Sequence, residues 1–352
     1  MALSNLQRTV LEKARASGAG TMGVSLGNDE CNFLIATIAS DLDLVDHFPE
    51  LQGRGVEFFS VAPSNAGIAV EASLHDLFER LVSIVPDADT YFSCLAALHR
   101  SRLKYAKIIE HQPIPTMDQV GPRSLLQFGT MKPRALATFL LWRKWIFDID
   151  NRAGQETGYL FEPIIAHSIG GVPFSSRKSP IRRHDDDQKG RQVDCVRDNH
   201  AYEIKIRVTI AASGQGRWRE ELDFPVDCRG SGYTPVLVVL DPTDNPKLQD
   251  LVRAFEREKG EVYVGDAAWA HLESVAGKTM ALFLERYVRS PIDWVLRDCP
   301  EQLSDMTLAM RDDKLTISVS GETYSFPRAA VPAGEESEVI MPEDIEEESP
   351  GL

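Results

Sequence analysis

Cysteine is scarce in this chain of 352 residues, and its five cysteines are far apart in sequence. They form no Cys-x-x-Cys pair and no Cys/His cluster, which argues against structural zinc, and their odd number argues against a disulfide framework. We therefore expect all five to be buried thiols: Cys31, Cys94, Cys195, Cys228 and Cys299.

Long apolar runs are also missing. No stretch reaches the roughly 18 apolar residues that suggest a transmembrane helix. The N-terminus, MALSNLQRTVLEKARAS, mixes charges and has no apolar centre of the kind found in signal peptides. These absences predict a protein of the cytoplasm that does not bind a membrane.

Basic residues are in the minority, with 38 Lys and Arg against 53 Asp and Glu and a net charge of −15. Eight of the acids follow Arg328, in a tail that has no base and no aromatic residue. Such a tail cannot bury enough apolar surface to fold, so we predict that residues 331–352 are disordered. Residues 123–207 differ, because fifteen bases there outnumber ten acids.

The most informative segment within this basic stretch covers residues 191–207, with the sequence RQVDCVRDNHAYEIKIR. Residues 192–196 and 201–208 have the β-branched and aromatic content of strands, and the polar residues between them are typical of a turn. Side chains alternate between the faces of a strand, so Glu203 and Lys205 share one face and Asp194 can lie opposite them. The pattern predicts a β-hairpin with a polar cluster.

Two converging carboxylates favour Mg²⁺, which takes one or two protein carboxylates and completes its coordination with water and phosphate oxygens. We assign Asp194 and Glu203 as metal ligands, with Lys205 orienting a water or stabilising charge on a phosphate. This chemistry is phosphodiester hydrolysis. The alternative is that the three residues are only the polar face of an amphipathic hairpin.

Upstream, residues 157–166 are largely apolar but contain Glu162. A carboxylate without a partner is costly in such surroundings, so we predict that Glu162 faces the hairpin as a further catalytic acid. Pro163 should lie in the first turn of a helix. The alternative is an ordinary solvated glutamate.

Downstream, residues 234–240 form an apolar run that predicts a strand buried on both faces. Residues 214–222 predict a short crossover helix between the hairpin and this strand. Further along, residues 247–259 indicate a helix, 261–264 a strand and 269–287 helical cover. The resulting order of helix, hairpin, helix and strand indicates an α/β fold.

This order, with Asp194, the Glu203-Ile204-Lys205 tripeptide and Glu162, resembles the PD-(D/E)xK nuclease superfamily. Val193 departs from the proline that often precedes the aspartate. The resemblance covers residues 121–290, and the text GPRSLLQFG is most similar to type II restriction endonucleases, in particular an ApaLI-like family. It implies a restriction-endonuclease-like core, a mixed β-sheet flanked by helices, with an N-terminal helical region.

The function that the resemblance implies is Mg²⁺-dependent cleavage of double-stranded DNA at a specific, palindromic site, by a homodimer of a prokaryotic cell. Two alternatives remain open. One is a repair nuclease or resolvase of the same fold. The other is a DNA-binding module that does not cleave, with the acidic tail as a DNA mimic.

Residues expected to contact DNA surround the hairpin. A polar loop before it contains six bases that are suited to phosphate contacts: Arg177, Lys178, Arg182, Arg183, Lys189 and Arg191. Residues after it can reach base edges: Gln215, Arg217, Arg219 and Arg229. The alternative for the loop is that it is merely solvated.

Three regions are expected. Residues 1–120 form a helical region for DNA recognition or dimerisation, with helices at 4–16, 32–45, 70–85 and 89–109. Residues 121–330 contain an apolar helix at 134–150, the nuclease core and a hairpin at 315–326 around Gly321. Residues 331–352 are the acidic tail.

Overall fold

The computed structural model describes residues 3–16, 23–51, 57–206, 215–311 and 313–329, without the side chains of residues 215–217. The predicted acidic tail at 331–352 lies outside the described residues, as do the side chains of Gln215 and Arg217.

Four α-helices dominate the N-terminal region and confirm the helices predicted there: α1 (Asn5–Arg15), α2 (Asn28–Asp41), α3 (Leu74–Ile84) and α4 (Ala88–His111). The start of α1 is fixed by a capping box, in which the Ser4 hydroxyl accepts from the Gln7 N–H and the Gln7 side chain accepts from the Ser4 N–H. Helix α2 begins four residues before the predicted start, and its buried apolar residues extend almost all round it.

A short helix, α5 (Met117–Val120), leads through a 3-10 turn at Gly121–Leu126 into the long helix α6 (Pro133–Ser168). The sequence predicts two segments here, with Pro163 in the first turn of the second one. That prediction is wrong, because α6 is continuous and Pro163 lies near its end. Proline removes a backbone hydrogen bond inside a helix. The fully buried Ile164, Ile165 and Ala166 pack this last turn into the core and offset the loss.

The central sheet has five strands in the order of the chain: β1 (Val172–Phe174), β2 (Val193–Arg197), β3 (His200–Lys205), β4 (Thr234–Val239) and β5 (Glu261–Val264). The first three strands are antiparallel, and β3, β4 and β5 are parallel. Parallel neighbours need crossover connections. These are α7 (Gln215–Gly230) and α8 (Pro246–Arg257), so the predicted hairpin, crossover helix and central strand are all confirmed.

Helices cover both faces of this sheet. On one face, Tyr202, Ile204 and Val238 share a core with α6, with the N-terminal helices and with α9 (Asp266–Leu284). On the other face, Ala201 and Val239 pack with residues of α7 and α8. The mixed sheet flanked by helices confirms the predicted fold class. The boundary at residue 120 stays a prediction, although the first core runs across it.

The chain continues through a π-helical turn at Glu285–Arg289 and α10 (Ser290–Arg297) into a separate antiparallel sheet of β6 (Met306–Arg311), β7 (Lys314–Val319) and β8 (Glu322–Pro327). Strands β7 and β8 confirm the predicted hairpin. Ser320 and Gly321 both have positive φ, at 54° and 82°, as a type I′ turn requires. No helix in the described ranges is both long and apolar enough to cross a membrane.

The cysteine prediction is confirmed at four positions and wrong at the fifth, because Cys299 is exposed. The buried thiols are Cys31, Cys94, Cys195 and Cys228. Burial raises the pKa of Cys195 to about 12, with a further contribution from Asp194, so this thiol packs in the core as a neutral group.

Candidate active site

The β2–β3 hairpin brings together the three polar residues that the sequence singles out. The backbone N–H of Ile204 donates to Asp194 Oδ2 at 2.8 Å, which fixes this carboxylate between the two polar residues of β3. Lys205 Nζ lies 2.7 Å from Glu203 Oε1. Both side chains of β3 are largely enclosed, because 12% of Glu203 and 22% of Lys205 is exposed. The cluster is therefore not a solvated strand face.

An irregularity in β2 accompanies the position of Asp194. Phe174 pairs with Val193 and Val172 with Val196, so two steps along β1 correspond to three along β2. Val193 and Cys195 accordingly belong to opposite faces of the sheet, which strict alternation would not allow. Such a bulge changes the direction in which a side chain points. The strand pattern of the sequence contains no sign of it.

Glu162 approaches the same cluster from helix α6. Loss of solvation raises the pKa of Glu162 to about 7, Lys205 lowers it, and Glu203 raises it further. Glu162 therefore lies within electrostatic range of the two polar residues of β3, and its role as a catalytic acid stays a prediction. Gly158 lies one turn earlier, and a Cβ at this position would be in van der Waals contact with Glu162 Oε1, at 3.4 Å.

The electrostatics of the cluster are dominated by negative charge. Loss of solvation, then Glu203 and Glu162, raises the pKa of Asp194 well above its ordinary value, and Lys205 and the Ile204 N–H offset this only in part. Burial by itself lowers the pKa of Lys205, but the carboxylates around it outweigh this effect and raise the net pKa. Several carboxylates therefore share one ammonium group, and a cation would relieve their repulsion.

This donor set fits a divalent metal that is held partly by water. Within the described ranges, no group of three His, Cys, Asp or Glu side chains lies close enough to enclose a metal by itself. Mg²⁺ needs only one or two protein carboxylates. Asp194 and Glu203 supply hard oxygen donors, and the surplus negative charge around them favours a cation.

The basic loop before β2 is ordered against the body of the protein. The N–H of Arg183 donates to the Lys189 carbonyl at 3.0 Å, and the N–H of Arg191 donates to that of the buried Ile181 at 2.9 Å. Four of its six bases are exposed: Arg177, Lys178, Arg182 and Lys189. The Arg183 guanidinium pairs with Glu220 Oε1 at 3.0 Å.

Arg191 has a different environment from the one that the sequence suggests. Only 7% of it is exposed, and its guanidinium contacts Asp227 Oδ2 at 2.6 Å, the Glu220 carbonyl and the ring of Phe224. Asp227 also accepts from His184 Nδ1 at 2.7 Å. Arg191 therefore attaches the loop to α7 and does not present its charge to solvent. No feature of the sequence pairs it with Asp227.

The residues after the hairpin that are predicted to contact DNA bases have different environments. Arg219 is exposed, with 85% of its side chain accessible and a weak contact to Asp223 at 3.8 Å. Arg229 instead donates to the carbonyls of Glu258 and Lys259, at 2.6 and 2.5 Å, and so holds the C-terminal end of α8. Sequence reasoning also missed Glu221 of α7, whose Oε1 lies 3.8 Å from Lys205 Nζ.

A mixed sheet flanked by helices, with an aspartate and a Glu-x-Lys on its central hairpin, is the arrangement that the resemblance to the PD-(D/E)xK nucleases implies. The comparisons with known proteins identify the family. The model of the ApaLI-like restriction endonucleases matches residues 60–289, and the chain belongs to this family.

A curated relative shares this similarity over most of its length. The chain is 50% identical over 262 residues to the type II restriction enzyme ApaLI of Acetobacter pasteurianus, which covers 70% of each protein. No solved structure matches the chain significantly. The protein is therefore a type II restriction endonuclease, a class that acts on DNA and works with a divalent metal. The family match also begins about 60 residues before the start that the sequence resemblance suggests, and includes α3 and α4.

Proposed function

We propose that this restriction endonuclease is Mg²⁺-dependent, that Asp194 and Glu203 hold the metal, and that Lys205 and Glu162 complete the catalytic site. The observation that carries the proposal is the enclosed cluster in which Lys205 Nζ lies 2.7 Å from Glu203 while Asp194 is fixed by the Ile204 N–H. Carboxylates that repel one another destabilise the folded protein, and such arrangements cluster at functional sites.

The side chains have distinct tasks in this proposal. A bound Mg²⁺ supplies polarisation of the phosphoryl oxygen and lowers the pKa of a water molecule. Lys205 stays protonated, because the carboxylates around it raise its pKa, and it stabilises charge that develops on the phosphate. Glu162, with a pKa raised to about 7 chiefly by loss of solvation, is suited to exchange a proton with water near neutral pH.

Cleavage of mixed-sequence linear DNA in the presence of Mg²⁺ tests this assignment. We expect discrete fragments from the unmodified protein and a loss of rate of about 10³-fold or more in Asp194→Asn. The matched control is Asp198→Asn, which removes the same charge at the turn of the same hairpin, where φ is 51° and asparagine is tolerated. Persistence of the fragments in Asp194→Asn, with Asp198→Asn unchanged, would refute the assignment.

The DNA-binding surface in the proposal consists of the exposed bases Arg177, Lys178, Arg182, Lys189 and Arg219, together with Arg183, which borders them. Gln215 and Arg217 remain proposed base readers, while Arg191 is omitted because it is buried. Log affinity for DNA falls as log salt concentration rises. Replacing Lys178 and Lys189 by alanine should make this fall less steep, by about 2 in the magnitude of the slope. An unchanged slope would contradict this surface.

We also propose a homodimer that reads a palindromic site, since a twofold protein matches a twofold sequence and each subunit then cuts one strand. The support is an apolar surface in the segment that precedes α6, where Leu125, Leu126 and Phe128 are 78%, 93% and 73% exposed. Light scattering on Leu126→Glu tests it. A wild-type dimer that this substitution leaves intact would exclude the surface as the interface.

The family match favours this function over the other two hypotheses. A fixed fragment pattern on an intact duplex distinguishes it from a resolvase or repair nuclease, which would prefer branched or damaged DNA. Binding to DNA without any Mg²⁺-dependent cleavage would instead support a non-cleaving module.

A further inference from the structure

A carboxylate outside the hairpin reaches the proposed catalytic lysine. Lys205 Nζ lies 2.7 Å from Glu203 Oε1 and 3.8 Å from Glu221 Oε1, which belongs to α7. We propose that Glu221 is a positioning residue, which takes over the Lys205 ammonium when Glu203 is engaged by the metal. This inference rests on the proposed function, because it assumes that Glu203 is a metal ligand.

Lys205 and a metal ion compete for the carboxylate of Glu203. An ammonium at 2.7 Å from Glu203 Oε1 competes with a metal ion for this carboxylate, because the two cations repel each other. The contact between Lys205 and Glu203 is therefore the metal-free arrangement. Metal binding at Glu203 requires the ammonium to withdraw from that oxygen.

A second carboxylate is available to the Lys205 ammonium when it leaves Glu203. Among the described residues, the acids within ion-pair distance of Lys205 are Glu203 and Glu221. Asp194 is the other proposed metal ligand, whereas Glu221 is not one of the two proposed ligands. It also contributes to the raised pKa of Lys205. A small movement away from Glu203 thus brings the ammonium closer to a second carboxylate, where it remains charged and oriented.

Glu221 belongs to a helix that is firmly packed against its neighbours. Helix α7 is fixed to the sheet by Phe224 and Cys228, which are buried in the core of that face. It is also fixed to the basic loop by the Asp227–Arg191 pair at 2.6 Å. Only 23% of the Glu221 side chain is exposed. A carboxylate on such a support defines a position for Lys205 better than one on a mobile loop.

The test is a double-mutant cycle in which calorimetry measures the affinity for Ca²⁺. The measurement is made without DNA, so that no turnover is needed. In Glu221→Gln, Lys205 loses the carboxylate that faces it from α7 and holds Glu203 more tightly, so Ca²⁺ affinity should fall by about fivefold. In Lys205→Met, affinity should rise. In the Lys205→Met background, most of the effect of Glu221→Gln should disappear.

The control is Glu256→Gln, which removes one negative charge from an exposed position of α8 and should leave Ca²⁺ affinity unchanged. Thermal melts establish that each variant is folded. A loss of equal size in both backgrounds would mean that Glu221 acts on the metal only as a distant charge, and would overturn the inference. So would an unchanged affinity in Glu221→Gln.

A second measurement separates this inference from the proposed function. The Mg²⁺ concentration that gives half-maximal cleavage should rise by about fivefold in Glu221→Gln, with the maximal rate lowered as well, because Lys205 is less well oriented. If the unmodified protein binds no Ca²⁺, or if Asp194→Asn binds it equally well, the proposed function fails. If binding and cleavage behave as proposed but the cycle is additive, only the role of Glu221 fails.

Discussion

The raised pKa of Glu162 makes the stability of the metal-free protein depend on pH in a specific direction. Loss of solvation raises this pKa from the usual 4.5 to about 7. The folded protein therefore holds a proton between these values that the unfolded chain releases. Stability falls as pH rises through this window, because the unfolded state binds fewer protons than the native state. This is the opposite of the behaviour of an acid whose pKa is lowered by folding.

The magnitude follows from the size of the shift. At about 1.4 kcal/mol for each pKa unit, the change from 4.5 to about 7 corresponds to about 3 kcal/mol of lost stability above pH 7. Glutamine has nearly the same shape and carries no charge. Glu162→Gln should therefore stabilise the metal-free protein by up to about 3 kcal/mol at pH 8, and by little at pH 5.

Urea denaturation in the presence of a chelator, at pH 5 and at pH 8, measures this difference. The matched control is Glu156→Gln on the same helix, whose side chain pairs with Lys104 at 2.9 Å and lies outside the carboxylate cluster. The reasoning would be refuted if Glu162→Gln changed stability equally at both pH values, or if it destabilised the protein at pH 8.

Two further substitutions test the interior of the protein by urea denaturation. Asp227→Ala leaves the buried Arg191 and the neighbouring His184 without their carboxylate and should cost about 3 kcal/mol, whereas Asp223→Ala, whose contact to Arg219 is exposed, should cost less than about 1 kcal/mol; similar losses would mean that the loop is not anchored at Asp227. Asp41→Ala removes the acceptor for the hydroxyls of Tyr91 and Tyr287, at 2.8 and 2.5 Å, and should cost at least about 2 kcal/mol; a neutral result would show that this buried network does not hold the π-helical turn after α9 to the N-terminal helices.

Local patterns were sufficient for much of the sheet. The hairpin has alternating residues around a polar turn, and the strand at Thr234–Val239 is a continuous apolar run, so both could be predicted. Pro163 could not be placed in this way. Its tolerance near the end of α6 depends on the burial of Ile164 and Ile165 against residues far away in sequence. Packing of this kind overrides local propensity and leaves no local signal.

The candidate site shows the same division between chemistry and geometry. The residue types and spacing of Asp194, Glu203 and Lys205 predict a cation-binding cluster, but the same pattern also fits the polar face of an amphipathic hairpin. The bulge at Asp194 and the approach of Glu221 follow from the pairing of β1 with β2 and from the position of α7. Both depend on contacts between segments that have no common sequence pattern.

Charge counting in particular overstates the surface that is available to DNA. The basic loop contributes six positive charges to the sequence, but Arg191 is neutralised inside the protein by Asp227, and Arg183 is paired with Glu220. A count of charges does not distinguish a base that attaches the loop from one that can bind a phosphate. A buried guanidinium that is paired with a carboxylate cannot do both. The attachment nevertheless serves the proposed binding, because it fixes the loop that carries the four exposed bases to α7, the helix that also presents Arg219.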